Sequence, residues 1–351
     1  MLSHDTIERI QSTDPRLWAQ AQARLDRLTK PIGSLGRLEE MAARYVMITG
    51  EMKPTVPRGA VFTFAADHGV TAEGVSAYPS AVTPQMVLNF LRGGAGVNVL
   101  ARHVGIEVRV VDIGVAFDFE GAPGLIHKKV MPGTNNLLLE SAMSPIQAEQ
   151  ALQVGVELAT EAAQQGIGLI GTGEMGIGNT TASSAIAAVM TRKPVSEVTG
   201  RGTGIDDASH ARKIDVIQRA LDLHRLDSAN ALKVLATVGG LEIGGLAGLM
   251  LGAAAARIPV VLDGFIAGAA ALIAVGMQPR CNDYLIASHR SVERGHEAIL
   301  NHLGLKPLFD LDLRLGEGTG ACLGMSLVFA AIKIFTEMAT FDEAGVSERT
   351  T

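Results

Sequence analysis

One short pattern recurs along the sequence and confines the chain to an α/β fold. A run of apolar and β-branched residues is followed by a polar residue and glycine, and then by a helical stretch. The pattern is found in AVFTFAADHG (60–69), EVRVVDIG (107–114), GIGLIGTGEMG (166–176) and IPVVLDG (258–264), and more weakly in YLIASH (284–289) and FDLDLRLGEG (309–318). Continuous apolar strands alternating with helices are typical of a parallel sheet whose two faces are both covered. We therefore predict a parallel sheet with helices on both faces.

The two ends of the chain lie outside this pattern and read as helices. In DPRLWAQAQARLDRLT (14–29), apolar residues recur at helical spacing behind Asp14 as N-cap and Pro15 in the first turn. From about Ala321 the chain returns to a helix rich in Met, Leu, Ile and Phe, followed by a polar tail. We predict a small helical domain built from residues 1–55 and 321–351, and a large α/β catalytic domain over residues 56–320.

Composition argues against nucleic-acid and membrane partners. The formal net charge is −6, whereas nucleic-acid binding needs a dense Lys/Arg surface. The stretch 241–277 is rich in Ala, Gly, Leu and Ile, but Arg257, Pro259 and Asp263 interrupt it. Its segments are too short to span a bilayer, so we expect a buried helix–strand–helix unit. The polar N-terminus does not resemble a signal peptide, and a cytoplasmic location is predicted.

The cysteines and histidines lack the spacing of a metal site. Cys281 and Cys322 are the only cysteines, and two lone thiols indicate neither a zinc site nor a disulfide framework. Asp67 and His68 follow a predicted strand without a second histidine at ligand spacing, which favours a hydrogen-bonded structural role. We expect no metal and no cofactor.

Polar residues collect where the predicted strands end. In an open parallel sheet, ligands bind outside the carboxyl ends of the strands. The residues at these ends are Asp67, His68, Asp112, Glu174, Asp263, His289 and Glu317. The sequence thus predicts a functional site along one edge of the sheet.

The loop GTGEMGIGNTT (171–181) is the most informative candidate site. It follows the apolar run IGLI and precedes a helix for which Thr180 or Thr181 is the expected N-cap. Glycines allow several backbone N–H groups to face one anion, and a helix N-terminus adds partial positive charge. TGRGTGIDD (199–207) and RLGEGTG (314–320) are also glycine-rich loops. We expect a phosphate here; the alternative is that these are tight turns without a ligand.

Two other functions remain open at this point. Gly171, Gly173 and Gly176 form GxGxxG, with Glu197 about 20 residues later, which is the pattern of an NAD-dependent oxidoreductase of Rossmann type. The residues after the third glycine prolong the loop, which is unusual for that pattern. The second alternative is a non-enzymatic nucleotide-binding module, which would keep the phosphate-binding loops but lack catalysis.

Three charged residues are candidates for chemistry. Glu317 lies between two glycines, and Glu174 lies between Gly173 and Met175. A partly desolvated carboxylate has a raised pKa that suits general-base work near neutrality. Two carboxylates also suggest glycoside hydrolysis. A sugar-binding cleft usually contains aromatic side chains that stack on the sugar, however, and this chain has only one Trp and three Tyr. Lys213, after the second glycine loop, either neutralises a phosphate or lies on a solvated helix face.

Eight motifs, taken together, resemble one known family. They are LTKPIGSLGRLE (28–39), AADHGV (65–70), YPSAVTPQM (78–86), GGAGVNVLAR (93–102), GEMGIGNTT (173–181), VGGLEIGGLAG (238–248), VLDGF (261–265) and RLGEGTGA (314–321). Their order and intervals are similar to those of the nicotinate-nucleotide–dimethylbenzimidazole phosphoribosyltransferases of cobalamin biosynthesis. The resemblance covers about residues 25–340.

The resemblance implies a Rossmann-like large domain, a small helical domain from the two termini, and a homodimer. It implies transfer of the phosphoribosyl group of nicotinate mononucleotide to 5,6-dimethylbenzimidazole, with Glu317 as the base and roles for Glu174 and Lys213. Implied contacts to the substrates are Gly176, Gly178, Asn179, Thr180, Gly202, Thr203, Gly204, Ser291 and Gly316 on the phosphoribosyl side, and Tyr78, Met86 and Met175 around the benzimidazole.

Overall fold

The computed structural model describes residues 4–347 and contains one six-stranded sheet surrounded by helices. The strands are β1 (Arg58–Ala66), β2 (Glu107–Gly114), β3 (Leu125–His127), β4 (Ile167–Met175), β5 (Val260–Leu262) and β6 (Leu285–Ala287). The helices are α1 (His4–Glu8), α2 (Pro15–Asp26), α3 (Arg37–Thr49), α4 (Val82–Leu91), α5 (Gly96–Val104), α6 (Pro145–Gln164), α7 (Asn179–Thr191), α8 (Val195–Val198), α9 (Asp207–His224), α10 (Ala231–Val238), α11 (Leu241–Ala255), α12 (Phe265–Met277), α13 (Arg294–Leu303), α14 (Thr319–Glu337) and α15 (Phe341–Ala344). Two 3₁₀ helices span Gly69–Glu73 and Pro279–Tyr284.

The strand order is β3-β2-β1-β4-β5-β6, and every neighbouring pair is parallel. This is the order of the Rossmann fold, so the predicted fold class is confirmed. The order reverses between β1 and β4, which places the switch point of the sheet between the ends of these two strands. β3 is a short edge strand that the sequence pattern did not predict.

Five of the six predicted strands are present, and the sixth is wrong. Residues 309–318 form an irregular segment whose only recorded strand-like pairing within the described chain is a bridge from Phe309 to His289. Leu311 and Leu315 are 59% and 61% exposed, so the alternating leucines do not pack on a sheet. The segment instead runs over the sheet edge towards Glu317.

The apolar stretch 241–277 is the buried helix–strand–helix unit that the sequence predicts. α11 and α12 are buried along nearly their whole lengths and flank β5. Glycine allows the close packing of α11 on α6, since a Cβ at Gly248 would lie 1.9 Å from the carbonyl oxygen of Leu152. The many Ala and Gly residues and the few aromatic residues therefore allow the backbones of neighbouring helices to approach closely.

Three of the terminal helices, α2, α3 and α14, pack together on the other face of the sheet, whereas α1 contacts α11. Asp14 accepts a hydrogen bond from the Arg16 amide at 2.9 Å, which confirms the predicted cap of α2. α2 and α3 share a core with α14 and with sheet residues such as Val61. α14 is long and apolar enough to cross a membrane by length and composition, but 56% of its apolar window is buried within the fold. The division into two domains remains a prediction.

Candidate active site

The candidate site lies over the switch point, where β1 and β4 end side by side. Ala65 near the end of β1 pairs with Met175 at the end of β4. Asp67 follows β1 directly, and Glu174 is the last but one residue of β4. Because helices leave the two strands in opposite directions, a crevice opens here in Rossmann-like sheets. Most of the polar residues expected at the strand ends therefore meet near one place.

Glu317 lies in a strained turn above this crevice. Its φ is +65°, and its neighbours Gly316 and Gly318 have φ of +84° and +105°. A left-handed conformation costs a non-glycine residue about 1 kcal/mol, so the surrounding structure must hold it. The Glu317 carbonyl oxygen accepts a hydrogen bond from the Thr63 hydroxyl at 3.0 Å. The turn is thus fixed to β1.

The Glu317 carboxylate faces the N-terminus of α5. Its Oε2 atom accepts a hydrogen bond from the Val97 amide at 3.2 Å, and the side chain is 6% exposed. Burial raises the pKa of Glu317, while the amides of Val97 and Gly96 oppose that rise. The result is a carboxyl group whose pKa is higher than usual but which keeps hydrogen-bond support as an anion.

Two further buried carboxylates lie next to Glu317. A Cβ at Gly316 would lie 2.3 Å from Oε1 of Glu174, so the Glu317 turn rests against that side chain. Burial raises the pKa of Glu174 to about 8, with the charges of Asp263 and Glu242 adding to the effect. Burial also raises the pKa of Asp263 to about 7, although three backbone amides oppose it. Asn179 donates a hydrogen bond to Glu174.

The first two GxGxxG glycines are strand residues, which excludes the dinucleotide interpretation of this motif. Gly171 and Gly173 lie inside β4, so the expected loop over 171–181 is wrong for its first five residues. A Cβ at Gly173 would lie 2.2 Å from the Glu317 carbonyl oxygen, and one at Gly171 would lie 2.8 Å from Val61. These glycines let the Glu317 turn and β1 approach β4, and only Gly176 belongs to the loop.

The remaining loop, residues 176–178, leads directly into α7. Gly178 is the N-cap with φ of +98°, so the prediction of Thr180 or Thr181 as N-cap is wrong. The loop must pass close to His68, since a Cβ at Gly178 would lie 3.2 Å from the His68 Cβ. His68 forms a buried pair with Glu242, with 2.7 Å between Nε2 and Oε1. The hydrogen bonding predicted for His68 is therefore present, while its structural role remains a prediction.

Lys213 lies beside the start of α7 and is buried. It is 1% exposed, so the solvated-face interpretation is wrong. Its Nζ donates to the Thr180 hydroxyl at 2.7 Å. A Cβ at Gly202 would lie 3.3 Å from Nζ and 2.7 Å from that hydroxyl. Burial lowers the pKa of Lys213 to about 8, and the charge of Glu293 opposes the shift.

The segment 289–293 closes this second cluster from the other side. A Cβ at Gly200 would lie 2.0 Å from Oε2 of Glu293. Ser291 is buried, and its hydroxyl accepts a hydrogen bond from the Glu293 amide at 3.4 Å. A cavity of about 310 Å³ lies here and is lined by Gly200, Arg201, Gly202, Gly204, His210, Val292, Glu293, Arg294 and Arg314. Three arginines, Arg201, Arg294 and Arg314, outnumber Glu293 in its walls, which suits an anionic group.

Thr203 and the predicted apolar residues occupy the rim. The Thr203 hydroxyl accepts a hydrogen bond from the Ala77 amide at 3.1 Å, next to Tyr78. Tyr78 is 54% exposed, so it does not form a closed wall in this structure. Met86 and Met175 are partly buried against the same apolar cluster. The Thr83 hydroxyl accepts from the Ile177 amide at 3.2 Å, which ties α4 to the loop after β4.

A larger cavity of about 540 Å³ opens beside β1 and β2 rather than over Glu317. Its walls include Asp67 and His68 together with Pro84, Leu88 and Phe117. The buried carboxylates Glu174, Asp263 and Glu317, whose pKa values burial raises, are not among the walls of this cavity. Within the described part of the chain, no group of three or more His, Cys, Asp or Glu side chains is arranged to hold a metal ion.

Sequence reasoning missed two residues of this region and the contacts of a third. Asp263 was placed at a strand end, but its hydrogen bonds to the start of α14 were not expected. Glu293 near Lys213 and Glu242 against His68 were not singled out. Glu242 had a usable signal, because it is a lone acid in an otherwise apolar helix and a buried charge requires a partner.

The fold and the site define a Rossmann-like enzyme with a buried lysine cluster and buried carboxylates near the switch point. A family model described as phosphoribosyltransferase matches residues 10–346. The chain is 61% identical over 344 residues to the nicotinate-nucleotide–dimethylbenzimidazole phosphoribosyltransferase of Chloroflexus aggregans, covering 98% of each chain. It is 58% identical to the protein of the same name from Geobacter sp. strain M21, covering 99% of each chain.

Solved structures agree with these relatives. The crystal structure of the nicotinate-nucleotide–dimethylbenzimidazole phosphoribosyltransferase from Thermus thermophilus is similar with a TM-score of 0.90 and 50% identity, over 96% of this chain and 100% of that one. A crystal structure of CobT from the same organism gives a TM-score of 0.92 and 50% identity, over 95% and 100% of the chains. The chain belongs to the nicotinate-nucleotide–dimethylbenzimidazole phosphoribosyltransferase family and is a pentosyltransferase.

Proposed function

We propose that this enzyme transfers the phosphoribosyl group of nicotinate mononucleotide to 5,6-dimethylbenzimidazole, giving α-ribazole 5′-phosphate and nicotinate in cobalamin biosynthesis. The observation that carries this proposal is a buried carboxylate, Glu317, held in a left-handed turn over the switch point. The anion-binding cluster around Lys213 lies along the same edge. One site thus offers a base and a place for a phosphate.

The 5′-phosphate is assigned to the cluster of Lys213, Thr180 and Gly202. Lys213 donates to Thr180 in the free protein, and a phosphate would provide a stronger, charge-assisted partner for the ammonium group. The start of α7, with Gly176, Gly178 and Asn179, contributes the helix N-terminus. Gly204 lines the adjoining cavity, Thr203 follows Gly202 in the chain, and Ser291 contacts Glu293, which supports contacts of these residues with the phosphoribosyl group.

The benzimidazole is assigned to the region between the end of β4 and α4. Met86 lies three residues after Thr83 and hence on the same face of α4, and Thr83 is bonded to the loop after β4. Met175 is the last residue of β4. Methionine side chains adapt to a flat apolar ring. Tyr78 at the rim would cover the ring only after it has bound.

The chemistry needs one proton acceptor and two oriented rings. Nicotinate leaves C1′ of the ribose as a neutral ring nitrogen that keeps the electron pair of the broken C–N bond. A nitrogen of dimethylbenzimidazole forms the new C–N bond on the opposite face, and Glu317 takes the proton from the other ring nitrogen. The proton then passes to solvent. Alignment of the rings supplies much of the acceleration, and nearby carboxylates favour positive charge on the ribosyl group.

We also propose that the enzyme works as a homodimer in the cytoplasm. The family resemblance implies the dimer, and exposed apolar side chains such as Ile32, 75% exposed, supply surface for an interface. Cys281 and Cys322 are both buried free thiols, which supports a reducing compartment. Light scattering of the purified protein tests the dimer directly.

Glu317→Gln tests the role of the base. We expect turnover of nicotinate mononucleotide with dimethylbenzimidazole to fall about 10²-fold or more, because general-base catalysis contributes that much. Burial raises the pKa of Glu317, so wild-type turnover should fall as the pH drops through that pKa, and the variant should lose this acidic limb. Mass spectrometry of the products is the assay.

Glu337→Gln is the matched control, since it makes the same change at the exposed far end of α14. It should leave turnover unchanged. Near-normal turnover of Glu317→Gln would refute the assignment of the base. Failure of the wild-type enzyme to release nicotinate when the benzimidazole is added would refute the proposed reaction.

A further inference from the structure

Asp263 occupies the N-terminus of α14 with both carboxylate oxygens. Oδ1 accepts from the amides of Gly320 at 2.7 Å and Ala321 at 3.1 Å, and Oδ2 accepts from Gly318 at 3.1 Å. The helix has glycine as its N-cap, so it has no capping side chain of its own. Asp263 supplies the cap from a position 55 residues earlier in the chain than Gly318.

This cap is attached to the turn that carries the base. Gly318 is the residue directly after Glu317, and its amide is the one that Oδ2 binds. The same turn is held by the Thr63 hydroxyl on β1 and by close contact with Gly173 on β4. The strained residue is therefore fixed by three neighbouring strands, with Asp263 holding it from the end of β5.

The backbone of Asp263 is itself fixed by hydrogen bonds to residues in or just after the neighbouring strands. Its amide donates to the Thr172 hydroxyl at 2.9 Å, and its carbonyl accepts from the Ser288 hydroxyl at 3.2 Å. The side chain is 2% exposed. Glycine at 320 is needed for this arrangement, because a Cβ there would lie 2.9 Å from Oδ1 of Asp263 and 2.1 Å from His289.

We propose that Asp263 is a positioning residue for the base, fixing the backbone of Glu317 so that its carboxylate faces the incoming azole. The proposal rests on the function proposed above, in which Glu317 is the base. Asp263 makes no contact with substrate in this scheme. It acts through the Gly318 amide and through its negative charge, which repels the charges of Glu317 and Glu174.

Asp263→Asn separates these effects from helix capping. An asparagine has one acceptor oxygen, which remains best placed against the amides of Gly320 and Ala321. Its NH₂ group then faces the Gly318 amide, where two donors meet and the turn is released. The helix keeps its cap, while the turn of Glu317 loses one of its three attachments.

We expect Asp263→Asn to lower kcat about 10- to 100-fold, since a displacement of about 1 Å costs about 10²-fold in rate. The KM for nicotinate mononucleotide should change less than about 3-fold, because the cluster at Lys213 is unaltered. The acidic limb of the pH profile should move to lower pH, because a repelling negative charge is removed. A purely structural role would not move this limb.

The decisive measurement is the same substitution in the Glu317→Gln background. If Asp263 acts through Glu317, the double variant should turn over no more slowly than Glu317→Gln alone. An equal loss of turnover in both backgrounds would overturn the proposal. Asp14→Asn is the matched control, because Asp14 also caps a helix, α2, by accepting from a backbone amide, that of Arg16, at 2.9 Å, and lies outside the site. It should leave kcat unchanged, and an equal kcat loss there would also overturn the proposal.

Two further measurements keep the proposal testable. A crystal structure of Asp263→Asn should show Glu317 displaced from its left-handed conformation, whatever reaction the enzyme performs, and an unmoved turn would contradict the proposal. If Asp263→Asn does not fold, Thr63→Val removes the attachment to β1 at nearly constant volume. That variant should give the same fall in kcat with unchanged KM, and wild-type kcat would count against positioning by these attachments.

Discussion

Replacing Lys213 by methionine should make the free enzyme more stable while weakening its hold on the nucleotide. The side chain is buried, and its recorded hydrogen-bond partner is the Thr180 hydroxyl. Burial lowers the pKa from 10.5 to about 8. Methionine keeps the length of the chain without the charge. A residue kept at such a cost to folding is expected to have a functional partner, and the phosphate of the substrate is the proposed one.

The magnitudes follow from the pKa and from the lost contacts. At about 1.4 kcal/mol per pKa unit, the buried charge costs about 3 kcal/mol of folding free energy at neutral pH. Loss of the Thr180 hydrogen bond returns about 1 kcal/mol, and Glu293 loses its nearby cation. Methionine should therefore raise the free energy of unfolding by about 1 to 2 kcal/mol at pH 7. A charge-assisted hydrogen bond to phosphate is worth about 1.5 to 3 kcal/mol, so nucleotide affinity should fall about 10- to 150-fold.

The pH dependence has a definite sign. Between about pH 8 and pH 10.5 the unfolded chain holds a proton on Lys213 that the folded protein has lost, so wild-type stability rises with pH in this window. The stability advantage of methionine should shrink over the same window. Nucleotide affinity of the wild type should decline as the pH rises above about 8, and that of Lys213→Met should not.

Urea unfolding and calorimetric titration with nicotinate mononucleotide measure the two effects. Lys233→Met is the control, because Lys233 lies exposed on α10 and should change neither quantity. Unchanged nucleotide affinity in Lys213→Met would refute the phosphate role. A loss of stability larger than about 1 kcal/mol would refute the reasoning about the buried charge.

Two other substitutions test the frame of the site. Gly173→Ala places a Cβ 2.2 Å from the Glu317 carbonyl oxygen, so we expect turnover to fall more than about 10²-fold, measured by nicotinate release; wild-type turnover would mean that the turn can move freely. Glu242→Gln removes the partner of buried His68 and should cost about 3 kcal/mol in urea unfolding. The charged pair raises the pKa of His68 against the opposing effect of burial, so its contribution is complete below about pH 6.5 and is lost as the pH rises through the folded value. Equal costs of Glu242→Gln at pH 6 and pH 9 would contradict the charged pair.

The order of strands and helices was largely predictable because the sheet is buried on both faces. Every residue of β1 after Arg58 is buried, and such continuous apolar runs stand out in the sequence. The weak prediction over 309–318 failed because its leucines alternate like a half-buried strand, but Leu311 and Leu315 lie exposed at the edge of the sheet. Alternation alone does not reveal whether a neighbouring strand exists.

The site was predictable by residue type but not by arrangement. The glycines on both sides of Glu317 indicated a turn at this residue, and the structure has one there, with φ of +65° at Glu317. The reason for Gly171 and Gly173 was hidden, because it lies in β1, α14 and the Glu317 turn, which are far away in sequence. Burial of Lys213 was also hidden, since its helix reads as amphipathic with many charges. The cap that Asp263 places on α14 depends on two segments 55 residues apart, which a local pattern cannot report.

The number of hydrogen-bond donors around each carboxylate indicates where the proton of the cluster is held. Asp263 accepts from three amides and Glu317 from the amides at the start of α5, whereas Glu174 has the Asn179 side chain as its recorded donor. Donors stabilise the anion, so three neighbouring acids that repel one another should leave a proton on Glu174, whose pKa is raised to about 8. The pKa of Glu317 is raised by burial but opposed by the amides of Val97 and Gly96, which favour the anion that accepts the azole proton. A protonated Glu174 also limits the negative charge that the buried site must hold. Glu174 thus carries a proton while Glu317 receives one, and the different hydrogen-bond donors around the two side chains distinguish their roles.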